Sequence, residues 1–206
     1  MKKLKLLFFT FMFPALLFSQ GVQIVPFAGY MFGGSVKYTQ GKLNLKDGMD
    51  YGVSILVPVQ PLIDIELNYT RMDSKASFRG YSGYPLYPDY EISNLSSNYF
   101  QIGGISKFYK SDSKATPFGS FSLGATWFSS PDIDDVWKFS ATVGLGVKVM
   151  FSDRVGIMLR GRLMMPMTFA GAGFYFGTGG SGLTMSSYIA PLQGDFNGGL
   201  IIKLGN

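Results

Sequence analysis

The sequence contains no histidine and no cysteine, and these absences narrow the possible functions. Without cysteine, no disulfide holds the glycine-rich chain together, so another constraint must do so. Without histidine, the chain lacks the side chain that titrates near neutral pH and most often serves as a catalytic base. No trio of serine, aspartate and lysine stands out as a substitute. We therefore predict a protein without enzymatic activity.

Long apolar runs are also scarce, and the one that exists is near the N terminus. The apolar stretch Leu6–Phe18 follows three lysines and precedes the small Ser19. This pattern predicts a cleaved secretory signal peptide over residues 1–19 and a mature domain over residues 20–206. The alternative, an N-terminal membrane anchor, requires about 20 apolar residues. No later segment is apolar for the roughly 18 residues that a membrane helix needs.

An excess of charge is absent once the leader is set aside. The chain has 18 basic and 13 acidic residues, and three of the lysines lie in the leader. The mature chain is therefore nearly neutral, and its composition gives no reason to expect a nucleic-acid partner.

Alternation of apolar and polar residues is the main pattern that the sequence does contain. The stretch 63–71, IDIELNYTR, alternates without interruption, which is typical of a β-strand with two different faces. Similar segments recur along the chain. The eight segments are Val22–Gly33, Asp50–Val59, Leu62–Met72, Asn98–Tyr109, Pro117–Phe128, Trp137–Phe151, Arg154–Met167 and Asp195–Leu204.

The spacers between these segments alternate strictly between short and long. The short spacers are 60–61, 110–116 and 152–153, and the long ones are 34–49, 73–97, 129–136 and 168–194. Strands joined in this way place every short turn at one end and every long loop at the other. Such an arrangement is typical of outer-membrane barrels.

The two faces of the segments differ in a way that favours lipid over water as the outer solvent. From Phe139 to Phe151 one face is apolar and carries no charge, whereas the other is mostly glycine, serine and threonine with lysines at 138 and 148. Small residues suit the crowded interior of an eight-stranded barrel. Aromatic residues collect near the segment ends, where they would meet the two membrane interfaces. We therefore predict an all-β fold, an eight-stranded antiparallel up-and-down transmembrane β-barrel.

The whole mature chain resembles the small eight-stranded outer-membrane barrels of the OmpA/OmpX type, often called the porin family. The stretches PFAGYMFG, IGGISKFY and FGSFSLGATWF carry this resemblance through their mixture of glycine and aromatic residues. The resemblance implies a Gram-negative envelope protein in the bacterial cell outer membrane, surrounded by lipid and lipopolysaccharide. The enzymatic members of this group use a histidine, which this chain lacks.

Charged residues on the small-residue face form the strongest candidate site. In an eight-stranded barrel the third strand lies opposite the seventh, so we expect Asp64 and Glu66 to face Arg160 and Arg162 across the lumen. Further lysines should lie near them, namely Lys107, Lys148 and Lys203. Buried charges persist only when they are paired. The network could be a structural plug, or its partners could exchange to open a narrow ion gate.

The long loops offer a second candidate. Tyr81, Tyr84, Tyr87 and Tyr90 recur every third residue in RGYSGYPLYPDY, and a polyproline II stretch would align their rings. This row could dock a protein or glycan, or it could pack across the barrel mouth. The last loop contains GTGGSG but lacks a βαβ context, so we expect no nucleotide cofactor. No stretch matches a calcium-loop spacing, and we expect no metal.

Together these patterns predict a non-enzymatic outer-membrane barrel with a plugged lumen. Its role would be structural, or that of an accessory subunit that contacts other outer-membrane proteins through its loops. The alternative function is a narrow channel for ions or small solutes, gated by the interior carboxylate–arginine pairs.

Overall fold

Extended segments form most of the described part of the chain in a computed structural model. The structure describes residues 21–37, 41–80, 89–108, 115–131, 133–177, 180–189 and 192–205. The strands are β1 (Gln23–Phe32), β2 (Ser35–Lys37), β3 (Gly41–Leu45), β4 (Gly48–Gln60), β5 (Ile63–Gly80), β6 (Tyr90–Lys107), β7 (Ala115–Ser130), β8 (Ile133–Met150), β9 (Val155–Gly177), β10 (Gly180–Ile189) and β11 (Gln193–Lys203). No helix in this described part is long and apolar enough to cross a membrane.

Eight of these strands close into a ring. Strand β1 pairs antiparallel with β4 on one side and with β11 on the other, and the ring continues through β5, β6, β7, β8 and β9. Closure leaves no free strand edge in the wall. These strands correspond to the eight segments recognised in the sequence. The predicted eight-stranded antiparallel barrel is therefore confirmed.

The two ends of the barrel differ as expected. At the turn end, Pro61 and Leu62 alone join β4 to β5, and the backbone N–H of Leu204 donates to the carbonyl of Val22 at 2.7 Å. At the loop end the wall rises further than the sequence segments predicted. Strands β2 and β3 form a hairpin in which β3 pairs with β5, and β10 pairs with β9. Leu45 on β3 and Ala76 and Phe78 on β5 are buried, so the alternation continues past the predicted segment end at Met72.

The faces of the strands agree with the alternation in the sequence. In β5 the side chains of Asp64, Glu66 and Thr70 are buried inside the ring. Their neighbours Ile65 and Leu67 point outward and are 40% and 46% exposed. A register slip by one residue would reverse every one of these orientations, so the apolar face fixes the register.

Candidate functional site

A buried ion pair crosses the middle of the lumen. Strands β5 and β9 lie on opposite sides of the ring, and Arg160 Nη1 lies 2.6 Å from Glu66 Oε1. Ser54 on β4 donates from Oγ to the same carboxylate oxygen at 2.7 Å. Both charged side chains are almost completely inaccessible to solvent. This central pair therefore joins opposite walls by direct side-chain contact.

A second group of charges lies nearer the turn end. The Asp64 carboxylate accepts from Lys107 and from Lys148, each at 2.8 Å, and Lys148 also donates to Gln23 Oε1 at 3.3 Å. Because two ammonium groups meet one carboxylate, this turn-end triad of Asp64, Lys107 and Lys148 carries one excess positive charge.

The third group lies nearer the loop end and has the opposite imbalance. The guanidinium of Arg162 binds Asp195 through Nε at 3.0 Å and Nη2 at 2.5 Å, while Asp50 Oδ2 is 3.7 Å from the same Nη2. Arg162 Nη1 reaches across to β5, where it donates to Asn68 Oδ1 at 3.2 Å and Thr70 Oγ1 at 3.1 Å. This loop-end cluster of Asp50, Arg162 and Asp195 therefore brings two carboxyl groups to one guanidinium.

The three groups contain equal numbers of acidic and basic residues, and an aromatic ring supports two of them. The Phe27 ring centroid lies 5.4 Å from the guanidinium carbon of Arg160 and 5.0 Å from that of Arg162. Guanidinium groups at this distance are attracted to the face of a ring. Phe27 therefore accommodates two like-charged side chains that are only two residues apart.

Apolar side chains fill the lumen on either side of these charges. One buried cluster consists of Val25, Leu56, Ile105, Phe118, Met158 and Ile201. The other, at the loop end, consists of Met31, Leu45, Met72, Ala76, Leu95, Tyr99 and Met164. The Tyr99 hydroxyl on β6 donates to Gln193 Oε1 on β11, and these strands also lie on opposite sides of the ring.

The outer surface carries an apolar belt with aromatic rows at its loop-end margin. The rings of Trp127 and Trp137 stack at 5.6 Å, Phe100 lies 6.4 Å from Trp137, and Tyr69 lies 5.0 Å from Phe100. These four rings form a continuous row across β5–β8. On the far side of the barrel, Tyr30, Phe32 and Phe196 form a shorter row across β1 and β11.

Polar residues begin directly above this row. Arg71 and Asp73, both on the outward face of β5, form an ion pair at 2.8 Å, with side chains that are 38% and 51% exposed. The hydrogen bonds from Arg71 lower the pKa of Asp73. An exposed ion pair on the outward face marks where the apolar belt ends.

Comparison with solved structures gives the same architecture. Neisserial surface protein A superposes with a TM-score of 0.59 at 14% identity, covering 89% of this chain and 97% of that one. The outer membrane protein OprG from Pseudomonas aeruginosa gives a TM-score of 0.58 at 12% identity, with the same coverage. The fold is that of the small eight-stranded outer-membrane barrels. No protein-family model and no curated protein matches the sequence.

In this outer-membrane barrel fold, the charged residues predicted from the sequence lie in the lumen but do not all have the partners expected. Arg162 reaches across the lumen to β5 through Asn68 and Thr70, but its carboxylate partners are Asp195 and Asp50 and not the two β5 acids. Asp64 likewise meets the two lysines and not an arginine. The stagger between neighbouring strands brings Asp64 level with Lys148 on β8, a displacement that strand order alone does not give.

Other predicted residues lie apart from these contacts. Lys203 forms no ion pair with any described residue, and its aliphatic chain packs beside Gly21 at the turn end. The tyrosines at 81, 84 and 87 lie outside the described residues, as does the predicted signal peptide. Tyr90 begins β6, but only its backbone is described.

The sequence analysis missed several lumen residues. Asp195 lies on the opposite face of its segment from the apolar Leu200, Ile202 and Leu204, so the alternation in that segment would have placed it in the lumen. Asp50 lies at the very start of its segment, where alternation is too short to assign a face. Tyr99 and Gln193 gave no signal, because a tyrosine suits either face of a barrel strand.

Proposed function

We propose that this chain is an integral outer-membrane barrel without enzymatic activity, exported by a cleaved signal peptide. Its lumen is plugged, and its role is structural or that of an accessory subunit in a larger outer-membrane assembly. The loop end, with its raised β2–β3 and β9–β10 hairpins, would make the contacts with other outer-membrane proteins.

The apolar belt supports the membrane placement. Twenty-eight large apolar side chains of the described residues are exposed, among them Leu145 at 66% and Leu159 at 50%. Water-soluble monomers rarely expose contiguous apolar patches of more than a few hundred Å². A closed barrel is also one of the two architectures whose backbone polar groups are all satisfied in lipid.

The proposal that the lumen is plugged is supported mainly by side-chain contacts between opposite walls of the barrel. Glu66 meets Arg160, Arg162 meets Asn68 and Thr70, and Tyr99 meets Gln193, at three successive levels. An eight-stranded barrel has an interior just wide enough for side chains to fill. Ions would therefore have to displace direct contacts to pass.

Single-channel recording in planar bilayers tests this proposal. We expect no discrete openings from the wild-type barrel at moderate voltage. Glu66→Ala with Arg160→Ala opens only the central level, so this variant should stay closed. Adding Arg162→Ala and Tyr99→Ala removes the contacts at all three levels and should create measurable conductance. Regular openings of the wild-type protein would refute the plugged state.

One observation favours the alternative function, a narrow gated channel. Neither carboxylate oxygen of Asp50 has a hydrogen-bond partner among the described residues, although the residue is fully buried and within 3.7 Å of Arg162. Arg162 could therefore exchange Asp195 for Asp50 with a small movement. Single-channel openings that the wild type shows and Arg162→Gln lacks would support the gated channel over the plugged barrel.

The accessory role has its own test. Chemical cross-linking in native outer membranes, followed by purification of the barrel, should recover a defined neighbouring outer-membrane protein. A variant in which residues 80–90 are deleted should lose that neighbour while it remains folded. Recovery of the barrel alone in both cases would leave a purely structural role.

A further inference from the structure

Asp50 is a buried carboxyl group whose oxygens receive no hydrogen bond. The residue is completely inaccessible to solvent, and neither Oδ1 nor Oδ2 has a hydrogen-bond partner among the described residues. Arg162 Nη2 lies 3.7 Å from Asp50 Oδ2, which is too far for a hydrogen bond. An ionised carboxylate in such surroundings is costly, because no donor replaces the water that it has lost.

The guanidinium of Arg162 is already engaged by other groups. Asp195 accepts from its Nε at 3.0 Å and from its Nη2 at 2.5 Å, while Nη1 donates to Asn68 and Thr70 on β5. Each nitrogen of the guanidinium therefore has a closer partner than Asp50. Its single positive charge cannot balance two carboxylates if both are ionised.

A third oxygen in this cluster also lacks a donor. Asn197 donates from Nδ2 to Asp195 Oδ2 at 2.8 Å, but its Oδ1 has no partner in the part of the chain that the structure describes, although the residue is only 5% exposed. Gly29 pairs with Asp50 on one side and with Asn197 on the other, so no side chain of β1 separates them at this level. The side chains of Asp50 and Asp195 also interact with each other. The cluster therefore has several acceptors and is short of one hydrogen.

Asp50 faces two ionisable side chains from the neighbouring strands. Arg162 reaches it from β9, and Asp195 lies beside it from β11. The buried Met31 of β1 and Met72 of β5 pack at the same level, and Tyr99 of β6 is a phenol that is neutral near pH 7. Other ionisable groups in this part of the barrel are the outward-facing Tyr51, Arg71 and Asp73 and the central pair of Glu66 and Arg160. The charge balance at Asp50 therefore depends mainly on Arg162 and Asp195.

We propose that Asp50 is a proton-binding site, which the folded barrel holds as a neutral carboxylic acid that donates a hydrogen bond to Asp195. One proton leaves the cluster with one negative and one positive charge, and it supplies the missing donor. Two carboxyl groups that share a buried site do not readily ionise together. This inference concerns the charge balance of the cluster, so it applies to a plugged barrel and to a gated channel alike.

A proton fits this cluster better than a metal ion or a water molecule does. A metal ion bound to Asp50 would lie close to the guanidinium of Arg162, which would repel it. A water molecule could donate a hydrogen bond to Asp50 but would leave both carboxylates charged. A proton removes one charge, provides a donor and requires no additional space.

The bound proton makes the stability of the barrel depend on pH. An aspartate in the unfolded chain releases its proton at about pH 4, so folding above that pH takes up one proton at Asp50. The folded state therefore becomes less stable as the pH rises. The ratio of folded to unfolded barrel should fall about tenfold for each pH unit until Asp50 ionises in the folded state, and then level off.

Infrared spectroscopy of the barrel in ester-free detergent micelles detects the proton directly. A neutral carboxylic acid has a carbonyl stretch that an ionised carboxylate lacks and that shifts in D₂O. We expect this band in the wild type well above the ordinary aspartate range of about pH 4. Asp50→Asn should lack the band. Asp73→Asn should retain it, because this variant removes an exposed carboxylate on the outer side of the wall.

Two outcomes of the infrared measurement would overturn the proposal. One is a wild-type spectrum without the band, and the other is a band that survives in Asp50→Asn. Asp195→Asn provides a second test that does not depend on the refolding of Asp50→Asn. It leaves Arg162 as the partner of Asp50, which should then ionise, so the band should disappear although Asp50 is present.

Urea unfolding at a series of pH values measures the linked stability. We expect the folded-to-unfolded ratio of the wild type to fall about tenfold more per pH unit than that of Asp50→Asn, whereas Asp73→Asn should follow the wild type. Parallel curves for the wild type and Asp50→Asn would overturn the proposal. Stabilisation by sodium over choline at constant ionic strength, if Asp50→Asn abolished it, would also overturn it, since the ligand would then be a metal ion.

Discussion

Removing Glu66 should destabilise the barrel strongly, because it leaves Arg160 buried and unpaired. In Glu66→Ala the guanidinium loses its contact at 2.6 Å. Among the described residues it retains a long hydrogen bond to Ser54 at 3.4 Å and the Phe27 ring at 5.4 Å. Its Nε already has no hydrogen-bond partner among the described residues. Breaking one side of a buried ion pair costs about 3–5 kcal/mol. We expect a loss of that size in the free energy of unfolding.

A double-mutant cycle measures the interaction itself. Glu66→Ala, Arg160→Ala and the double variant are refolded into lipid vesicles and unfolded with urea. We expect the double variant to be more stable than the sum of the single losses predicts, by about 2–3 kcal/mol. The exposed Arg71–Asp73 pair provides a control cycle on the same chain, and its coupling should be only about 0.2–1 kcal/mol. A central coupling no larger than the control coupling would refute the argument that this pair holds the lumen closed.

Three further substitutions probe other parts of the lumen. Gly146→Val should lower the free energy of unfolding by about 1–3 kcal/mol, because a Cβ there would lie 2.5 Å from the Leu159 carbonyl oxygen. Tyr99→Phe removes the hydrogen bond that spans β6 and β11, and urea titration should report a loss of about 1–2 kcal/mol. Asp64→Asn should cost about 3–5 kcal/mol, because it leaves the buried Lys148 and the partly buried Lys107 without a counterion. Adding Lys148→Met should recover part of that loss.

These substitutions have controls that the same assays can measure. Gly104→Ala places a methyl group on the outer face, where the nearest heavy atom is 3.8 Å away, and should change stability by less than about 0.5 kcal/mol. An equal loss in Gly104→Ala and Gly146→Val would contradict the claim that the interior is tightly filled. An Asp64→Asn variant that Lys148→Met does not improve would contradict the assignment of repulsion to the lysines. Unaltered stability of Tyr99→Phe would mean that its hydroxyl contributes nothing across the lumen.

The barrel itself could be predicted because its cause is local. Alternation in β5 places Asp64 and Glu66 on one face and Ile65 on the other, and no distant residue is needed to see it. Alternating spacer lengths then fix the up-and-down order. Both signals arise from the backbone geometry of a strand and from the two environments that it separates.

The pairing of the lumen charges could not be predicted, because it depends on how far each strand is displaced along its neighbour. Which residue on β9 is level with Glu66 depends on the hydrogen-bond register accumulated over the intervening strands, and a shift of two residues exchanges Arg160 for Arg162. The partnership of Arg162 with Asp195 also required knowing that β11 lies beside β9 in a specific register. The β2–β3 and β10 additions escaped prediction because β2 and β3 are only three and five residues long and β10 begins Gly-Ser-Gly, so neither stretch offers a long alternating pattern.

Folding of the mature chain with and without a lipid phase tests the central claim most directly. Circular dichroism and tryptophan fluorescence are recorded after dilution from urea into vesicles, detergent micelles or plain buffer. We expect strand structure only with vesicles or micelles, together with tryptophan emission that shows lipid around the outward rings of Trp127 and Trp137. In buffer we expect aggregation. A soluble, folded monomer in plain buffer would contradict the assignment of the apolar belt to lipid.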